Sequence, residues 1–407
     1  MFLKTHLFSL NFYYSLLALS GSAFCADWPQ FLGPTRDGVY SGTLPGRNPE
    51  KLWQISVGDA FAGPVIAQDK LILFHRLQNR ETVEALNVKS GARVWSFSYE
   101  TLYRDDFGFD EGPRATPVVS AGKIYTHGAE GMLTCLDFTT GKKIWQVDTK
   151  AQFKFAKGFF GAAAVPLVEG DKVILNVGGP QLAGIVAFHK DTGKVFWGAT
   201  NDEAGYSSPT AATIGGTRHV LVLTRAGLVS LDPLNGQVRF RMPWKSRNDA
   251  SVNAAVPVVV NDLVFISSSY RTGATTLQVT GNQFKPLWSG DESLSNHYAT
   301  SVHKDGYLYG YHGRQENGQV FRCVELKTGK VMWEIDEFGA GSVILAGNDL
   351  LLMREGGELA WAAADPKSLK AGPRKQLLPG VVRAYPALAD GVLCARNAST
   401  LGCWTLR

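Results

Sequence analysis

A nine-residue motif recurs five times along this chain. Each copy begins with an acidic or polar residue, has glycine at its fifth position and ends on an aromatic residue. The copies are residues 87–95, 137–145, 189–197, 232–240 and 325–333. Their glycines (Gly91, Gly141, Gly193, Gly236 and Gly329) lie 50, 52, 43 and 93 residues apart, and the last interval contains a degenerate copy that ends at Trp288. A period of 43–52 residues built from short β-type segments is typical of one four-stranded propeller blade.

The chemistry of the motif predicts a turn followed by an outer strand. Asp137 and Asp232 begin two of the copies, and their side-chain oxygens suit a tight turn that caps nearby backbone N–H groups. The glycine supplies the positive φ that such a turn needs. The strand that follows ends on an aromatic residue, which is expected to fill the space between neighbouring blades. Four copies end on tryptophan: Trp95, Trp145, Trp197 and Trp333.

A second recurring element is a small apolar strand, then a tight turn, then a longer apolar strand. It begins eight times, near Gly63, Ala115, Ala163, Ser208, Ala255, Ala299, Gly341 and Ala384. The eighth unit lacks an outer strand, but residues 51–57 have that pattern at the other end of the chain. We therefore predict an all-β fold, an eight-bladed β-propeller of four-stranded antiparallel blades. The N-terminal strand closes the ring and removes a free sheet edge. Seven blades is the alternative, because the unit between Gly341 and Leu378 lacks the motif.

Composition supports one large all-β domain. Hydrophobic residues make up 45% of the 407 residues, charged residues make up 19%, and there are 44 glycines. We assign residues 51–407 to a single propeller domain and 26–50 to an N-terminal extended segment. A net charge of +5 is too small to predict nucleic-acid binding. After the first 25 residues, no stretch approaches the roughly 20 apolar residues of a transmembrane segment.

Residues 1–25 have the organisation of a signal peptide. Lys4 gives a basic start, residues 7–19 are apolar, and small residues precede a cleavage site between Cys25 and Ala26. The predicted location is therefore periplasmic or secreted. Lipidation of Cys25 is the disfavoured alternative, because Phe24 is a poor fit to the small residues that such a signal prefers.

Four cysteines follow the leader. Cys135 and Cys323 occupy equivalent positions in two blades and are expected to be small buried thiols. A two-residue turn at 398–399 would place Cys394 directly opposite Cys403, which allows a cross-strand disulfide in an oxidising compartment. Free thiols at this pair are the alternative. No spacing of cysteine and histidine indicates a metal site.

The Asp-x-x-Thr-Gly-x-x-x-Trp repeats resemble those of the pyrroloquinoline-quinone-like (quinoprotein) β-propellers, and residues 27–38 (DWPQFLGPTRDG) resemble the start of exported bacterial members. The resemblance implies one of two functions. Quinoprotein dehydrogenases oxidise alcohols or sugars with the quinone held on the propeller axis beside calcium. The second type resembles the outer-membrane protein assembly factor, which binds proteins and performs no chemistry.

The chain lacks several features that the resemblance associates with the dehydrogenases. It has no adjacent pair of cysteines, no long pocket-forming insertions and no cytochrome attachment motif. We therefore predict a non-catalytic binding scaffold in the cell envelope, with no cofactor and with envelope proteins or peptides as partners. A monomer is expected. The alternative is a small quinoprotein-type oxidoreductase that binds pyrroloquinoline quinone and calcium in the axial funnel.

The segments just before the inner strands are rich in aromatic and polar residues, and they are expected to gather on one face around the funnel. As a candidate ligand or peptide site they supply Asp110, Arg114, Lys157, Tyr206, Asn253, His297, Tyr298, Arg383 and Tyr385. The alternative is that the aromatic residues fill the funnel and the charges pair with each other. No catalytic residue and no metal-ligand set is predicted, since the two adjacent acids Asp110 and Glu111 are too few for a metal site.

Overall fold

A computed structural model describes residues 27–249, 251–336 and 338–407 of the chain. The predicted signal peptide, its cleavage site and Cys25 lie outside the described residues. Within those residues the fold is almost entirely β, and eight four-stranded antiparallel blades form a ring. The predicted eight-bladed propeller is confirmed.

The N-terminal segment contributes β1 (Val39–Tyr40) and β2 (Pro49–Ser56). Blade one contains β3 (Val65–Ala67), β4 (Lys70–Leu77), β5 (Arg80–Asn87) and β6 (Arg93–Glu100), and blade two contains β7 (Val118–Ser120), β8 (Lys123–His127), β9 (Met132–Asp137) and β10 (Lys143–Asp148). Blade three contains β11 (Leu167–Glu169), β12 (Lys172–Asn176), β13 (Ile185–His189) and β14 (Val195–Ala199), and blade four contains β15 (Thr210–Ile214), β16 (Thr217–Leu223), β17 (Gly227–Leu231) and β18 (Val238–Pro243). Blade five contains β19 (Val258–Val260), β20 (Leu263–Ser268), β21 (Gly273–Thr280) and β22 (Gln283–Gly290), and blade six contains β23 (Val302–Lys304), β24 (Tyr307–His312), β25 (Val320–Glu325) and β26 (Val331–Ile335). Blade seven contains β27 (Gly341–Ala346), β28 (Asp349–Arg354), β29 (Glu358–Ala363) and β30 (Lys370–Gln376). The eighth blade contains β31 (Ala387–Ala389), β32 (Val392–Arg396), β33 (Thr400–Leu406) and β2. Helix α1 (Thr149–Phe153) and a 3₁₀ turn (Gln315–Asn317) lie in connections.

The first strand of each blade lines the axis of the ring. These strands contact one another between neighbouring blades, as β3 does with β7 and β31. Since every blade repeats the same antiparallel order, all links between blades lie on one face, which we call the upper face. The turns between second and third strands share that face. The turns between first and second strands, and between third and fourth strands, lie on the opposite, lower face.

The N-terminal strand closes the ring as predicted. Strand β2 pairs antiparallel with β33, from Pro49 opposite Leu406 to Ser56 opposite Thr400. The last blade is thereby completed by the other end of the chain, and its third strand has no free edge. In the same blade Cys394 lies directly opposite Cys403, and a disulfide joins them.

Neighbouring blades are joined by contacts between the tryptophan of one blade and the glycine turn of the next. A Cβ added to Gly141 would lie well inside van der Waals contact with the indole of Trp95, and Gly141 has a φ of 70°. The Trp95 Nε1 donates a hydrogen bond of 3.2 Å to the carbonyl of Phe138, three residues before that glycine. The same two contacts join Trp53 with Gly91, Trp145 with Gly193, Trp197 with Gly236 and Trp288 with Gly329.

Three of the eight blade junctions depart from this rule, including that between blades seven and eight, where β30 (Lys370–Gln376) contains no tryptophan. Blade four ends on Phe240, whose ring centroid lies 5.2 Å from that of Phe284 in blade five. Blade seven has no glycine in the corresponding turn, yet Trp333 still donates a hydrogen bond of 2.9 Å to the carbonyl of Asp365. The missing motif of blade seven therefore leaves the hydrogen bond of the junction in place.

The N-terminal segment also fills the axis from the lower face. Trp28 forms a β-bridge with Ile66 in blade one, and the Pro29 carbonyl accepts a hydrogen bond of 2.8 Å from the Val119 amide in blade two. The chain then turns and leaves through β1, which pairs parallel with β27 in blade seven. This excursion, residues 27–40, is called the axial plug below. The segment predicted as extended is thus a bent element that contacts several inner strands.

We expect Gly141→Ala to destabilise the protein more than Gly122→Ala. Both glycines have positive φ (70° and 73°), but a Cβ at Gly122 meets nothing within 4 Å. The Gly122 variant should lose roughly 1–2 kcal/mol from the left-handed backbone. The Gly141 variant should lose about 1–3 kcal/mol more through overpacking against Trp95. Chemical denaturation of both variants measures the difference, and equal losses would contradict the proposed junction.

Candidate functional site

The floor of the upper funnel is built from the axial plug and one predicted site residue. The Tyr385 hydroxyl accepts a hydrogen bond of 2.6 Å from the Thr300 amide, and its ring centroid lies 4.9 Å from that of Phe31. Leu32 packs in the same buried cluster. Burial raises the pKa of the Tyr385 phenol. Tyr385 therefore joins blades six and eight and supports the floor, and it is too buried to meet a ligand.

A buried cation that the sequence analysis did not single out lies in the axial plug. Arg36 is 5% exposed and donates hydrogen bonds to the carbonyls of Val165 (3.4 Å) and Pro166 (3.0 Å). A third bond of 3.0 Å goes to the Gln30 side chain. Burial lowers the pKa of its guanidinium. Arg36 thus attaches the plug to blade three by satisfying carbonyl groups on the axis.

The link between blades one and two is folded around Arg114. Its guanidinium lies 3.4 Å from the Asp105 carboxylate and donates hydrogen bonds of 3.2 Å to the carbonyls of Asp110 and Gly112. The Asp110 carboxylate accepts a bond of 2.7 Å from the Gly112 amide. The Arg114 side chain is only 7% exposed. Arg114 and Asp110 are therefore occupied in holding their own loop.

The other predicted cations of the rim are also paired. The Lys157 ammonium lies 2.6 Å from the Asp106 carboxylate, and Arg383 Nε lies 2.5 Å from Glu355 Oε1. Lys157 and Arg383 therefore have the arrangement of the predicted alternative, in which charges of the rim pair with each other.

Tyr206 and Asn253 organise the neighbouring links by hydrogen bonds to the backbone. The Tyr206 hydroxyl accepts bonds of 2.9 and 3.1 Å from the amides of Phe159 and Phe160. The Asn253 side-chain amide donates to the carbonyls of Thr224 and Trp244 (2.8 and 3.0 Å). Both residues lie at the funnel and shape its loops.

His297 and Tyr298 lie on the blade-six side of the funnel. His297 Nε2 is 2.9 Å from the Tyr270 hydroxyl, and burial lowers the pKa of its imidazole. The Tyr298 hydroxyl is buried without a hydrogen-bond partner among the described residues, and burial raises the pKa of that phenol. Among the described residues no carboxylate is hydrogen-bonded to His297, so the pair lacks the oriented imidazole that is typical of acid–base catalysis.

What remains accessible around the funnel is a set of aromatic rings, which we call the aromatic rim. Phe107 and Phe109 are 53% and 55% exposed, and their centroids lie 6.1 Å apart. Phe160 lies 5.4 Å from Phe107 and 5.5 Å from Tyr206. The rim consists of Phe61, Phe107, Phe109, Phe159, Phe160 and Tyr206. The sequence shows that the rim segments are rich in aromatic residues, but only the structure shows that Phe107 and Phe109 are the exposed ones.

Cavities at the rim are small. A cavity of about 170 Å³ lies among Phe61, Phe109, Arg383 and Arg396, and one of about 80 Å³ lies beside Tyr206. Ligand sites for drug-sized molecules usually have about 300–1,000 Å³. Among the described residues, no three side chains of aspartate, glutamate, histidine or cysteine come together as a metal site. Calcium takes six to eight oxygen ligands, and the described residues of the funnel bring no three carboxylates together for such an ion.

Comparison with known proteins places the chain in a family. A family model described as "Outer membrane protein assembly factor BamB" matches residues 79–335, more than half of the chain. The chain therefore belongs to this family of β-propellers with pyrroloquinoline-quinone-like repeats. No helix in the described part of the chain has the length and apolar character needed to span a bilayer.

Both functional types of propeller are found among similar proteins. The structure of BamB from Moraxella catarrhalis aligns with a TM-score of 0.65 and 16% identity, covering 88% of this chain and 98% of that one. Quinohemoprotein alcohol dehydrogenase from Comamonas testosteroni aligns with a TM-score of 0.65 and 14% identity, covering 93% and 80%. Quinoprotein ethanol dehydrogenase from Pseudomonas aeruginosa is 26% identical over 228 residues, 52% of this chain. The match spans only 35% of that relative's length, so its activity is not transferred.

We expect Asp110→Asn to stabilise the protein at pH 7. Burial is the main cause that raises the folded-state pKa of Asp110 above its ordinary value of 3.8. The native state therefore binds more protons than the unfolded state just above pH 3.8, and the carboxyl costs stability as the pH rises through its folded pKa. An asparagine at this position never ionises, and its Oδ1 still accepts the Gly112 amide.

The gain should disappear near pH 3, where both states of the wild type are protonated. Thermal unfolding at pH 3 and pH 7 measures it, with Asp106→Asn as the control because Asp106 is exposed and paired with Lys157. The control should change stability by no more than about 1 kcal/mol, without the gain at neutral pH. A pH-independent effect of Asp110→Asn would contradict the assignment.

Proposed function

We propose that this chain is an exported, non-catalytic binding propeller whose upper face holds segments of other envelope proteins. The observation that carries the proposal is the aromatic rim. Phe107 and Phe109 remain more than half exposed, while the charged residues around them pair with each other. Exposed aromatic clusters of this kind are typical of interaction surfaces, where rings bury large areas at low entropic cost.

The family description supports a polypeptide as the partner. The matched family is named for an assembly factor of outer membrane proteins, and the leader predicted at residues 1–25 would deliver this chain to the same compartment. Outer-membrane strands alternate apolar and polar residues and carry aromatic girdles, so their unfolded chains expose rings that suit the rim. In this proposal the protein acts as a periplasmic monomer and needs no cofactor.

The second candidate function is a quinone-dependent oxidoreductase, favoured by the sequence match to quinoprotein ethanol dehydrogenase. Three features of the funnel argue against it: the small rim cavities, the paired arginines and the axial plug, which forms the floor. Of the predicted cations, Arg114 and Arg383 have side chains that are only 7% and 23% exposed and are paired with carboxylates, so they are not free to hold the carboxylates of the cofactor.

A thermal-unfolding titration separates the two functions. We expect pyrroloquinoline quinone at about 100 μM with calcium to leave the unfolding midpoint within roughly 1 °C of that with calcium alone, because a ligand stabilises only a native state that binds it. A saturable rise of several degrees would revive the oxidoreductase, and its loss in Arg383→Gln would locate the cofactor in the funnel.

Binding by the aromatic rim is tested with a urea-unfolded outer-membrane β-barrel protein diluted into a solution of the propeller. We expect saturable binding that weakens at least tenfold in the double variant Phe107→Ser/Phe109→Ser, because two exposed rings lose their buried contact area. Leu234→Ser is the matched control, since Leu234 is 75% exposed in a turn on the lower face. Equal affinity of all three proteins would refute the role of the rim.

A further inference from the structure

A second, chemically different site lies on the same upper face, away from the axis. It is a cleft of about 1020 Å³ between blades four, five and six. Its walls come from the link after β18, the turn between β20 and β21, and the turn between β24 and β25. We call it the basic cleft. No candidate residue of the sequence analysis lines it, and its volume exceeds that of the rim cavities several-fold.

The basic cleft is lined by four cations and one carboxylate. The cations are Lys245, Arg247, Arg271 and Arg314, and the carboxylate is Asp291. In the part of the chain that the structure describes, neither Arg247 nor Arg271 forms an ion pair with a carboxylate. His312 also lines the cleft, but burial lowers the pKa of its imidazole to about 4, so it adds no charge at neutral pH.

The two paired cations of the cleft pair only with exposed carboxylates. Lys245 lies 3.8 Å from Asp249, whose side chain is 95% exposed, and Arg314 lies 3.0 Å from Glu316, which is 49% exposed. Exposed pairs of this kind contribute about 0–1 kcal/mol, so both cations remain available to a ligand. Like charges collected in a concave surface raise the local concentration of anions.

The turn that presents Arg271 is held in an unusual conformation. Tyr270 and Arg271 have φ values of 65° and 58°, at turn positions where asparagine and glycine are the usual residues. Tertiary contacts compensate for the strain on Tyr270. Its hydroxyl lies 2.9 Å from His297 Nε2, the Arg314 guanidinium lies 4.4 Å above its ring, and its carbonyl accepts a bond from Ser246. The cations of two blades are thus fixed relative to each other by one tyrosine.

Neutral hydrogen-bonding groups alternate with the charges. Ser246, Thr272 and Asn317 line the cleft, and Asn317 is exposed. The Ser246 hydroxyl donates to the Tyr270 carbonyl, and the Oγ1 of Thr272 and the Nε1 of Trp244 are buried in the wall. Apolar side chains in the lining are few. Hydroxyl-rich ligands with spaced acid groups match such a surface better than peptides, which bring apolar side chains.

We propose that the basic cleft binds an acidic oligosaccharide, a short chain of sugar units of which several carry one carboxylate each. The arginines bind the carboxylates, and the exposed Asn317 side chain meets the hydroxyl groups. This site is independent of the polypeptide site at the aromatic rim, so either proposal can fail without the other.

Calorimetry with tetragalacturonate tests the proposal on the mature protein. We expect saturable binding to the free acid that weakens as salt is raised from low ionic strength. The methyl ester has the same ring skeleton without the charges, and we expect it to bind at least tenfold more weakly. An ester that binds as tightly as the acid would overturn the proposal, as would failure of the acid to bind.

Two variants locate the site. Arg271→Asn keeps a residue that tolerates the left-handed conformation, and Arg314→Gln keeps a polar side chain of similar length. Each is expected to weaken tetragalacturonate binding roughly tenfold, the loss of one hydrogen-bonded charge. Arg80→Gln in blade one is the control for overall charge, because Arg80 is a 46% exposed arginine outside the cleft. Unfolding midpoints of all three confirm that the variants are folded, and wild-type affinity in both cleft variants would overturn the site.

Two further comparisons fix the class of ligand. Tetraglutamate carries the same number of carboxylates on a peptide, and competition as effective as that of the sugar would overturn the saccharide assignment. The rim variant Phe107→Ser/Phe109→Ser should bind tetragalacturonate with wild-type affinity. A matching loss there would mean that the sugar occupies the rim.

Discussion

The contact between a tryptophan and the glycine turn of the next blade is the constraint on which the ring depends. The glycine of each motif must have positive φ and no Cβ, since the neighbouring indole lies against its backbone. The indole in turn finds its hydrogen-bond acceptor three residues before that glycine. The glycine and the final tryptophan of one motif thus act in different junctions: the glycine contacts the preceding blade, and the tryptophan contacts the following one. Trp53 on β2 makes the same contact with Gly91, so ring closure and blade packing are one interaction.

The two faces of the ring therefore have different roles. The motif turns and the entry of the axial plug occupy the lower face, where Trp28 and β1 add further backbone pairing. The upper face carries the links between blades and the turns between second and third strands, which lie outside the repeated tryptophan–glycine contacts. Loops outside those repeated contacts can differ from blade to blade, and functional groups concentrate in such loops. Both proposed sites lie there, one at the axis and one between blades four and six.

The periodic part of the fold could be predicted, and the pairing of individual side chains could not. The repeats predict the number of blades because each copy forms the same turn and the same strands. Blade seven lacks the motif, but its inner strand at Gly341 still indicates a blade in the sequence. The sequence also predicts the ring-closing N-terminal strand, because the eighth unit lacks an outer strand and residues 51–57 have the outer-strand pattern. Whether Arg114 faces a ligand or its own loop depends on Asp105, nine residues away in a link without regular structure. The basic cleft had no signal in the sequence, since Lys245, Arg271 and Arg314 are isolated cations that meet only across three blades.

One residue connects the two sites physically. Tyr270 bonds to His297 of the funnel through its hydroxyl and lies beneath Arg314 of the basic cleft with its ring. A ligand that draws Arg314 toward its carboxylates would therefore act on the group that holds the blade-six wall of the funnel. Coupling of this kind requires that the ligand interact differently with two arrangements of the Tyr270–Arg271 turn, whose positive φ values make it a strained part of the cleft wall. Among the described residues, the Tyr270 hydroxyl is the hydrogen-bond partner of His297 Nε2, so it is the contact through which occupancy of the cleft would reach the funnel wall.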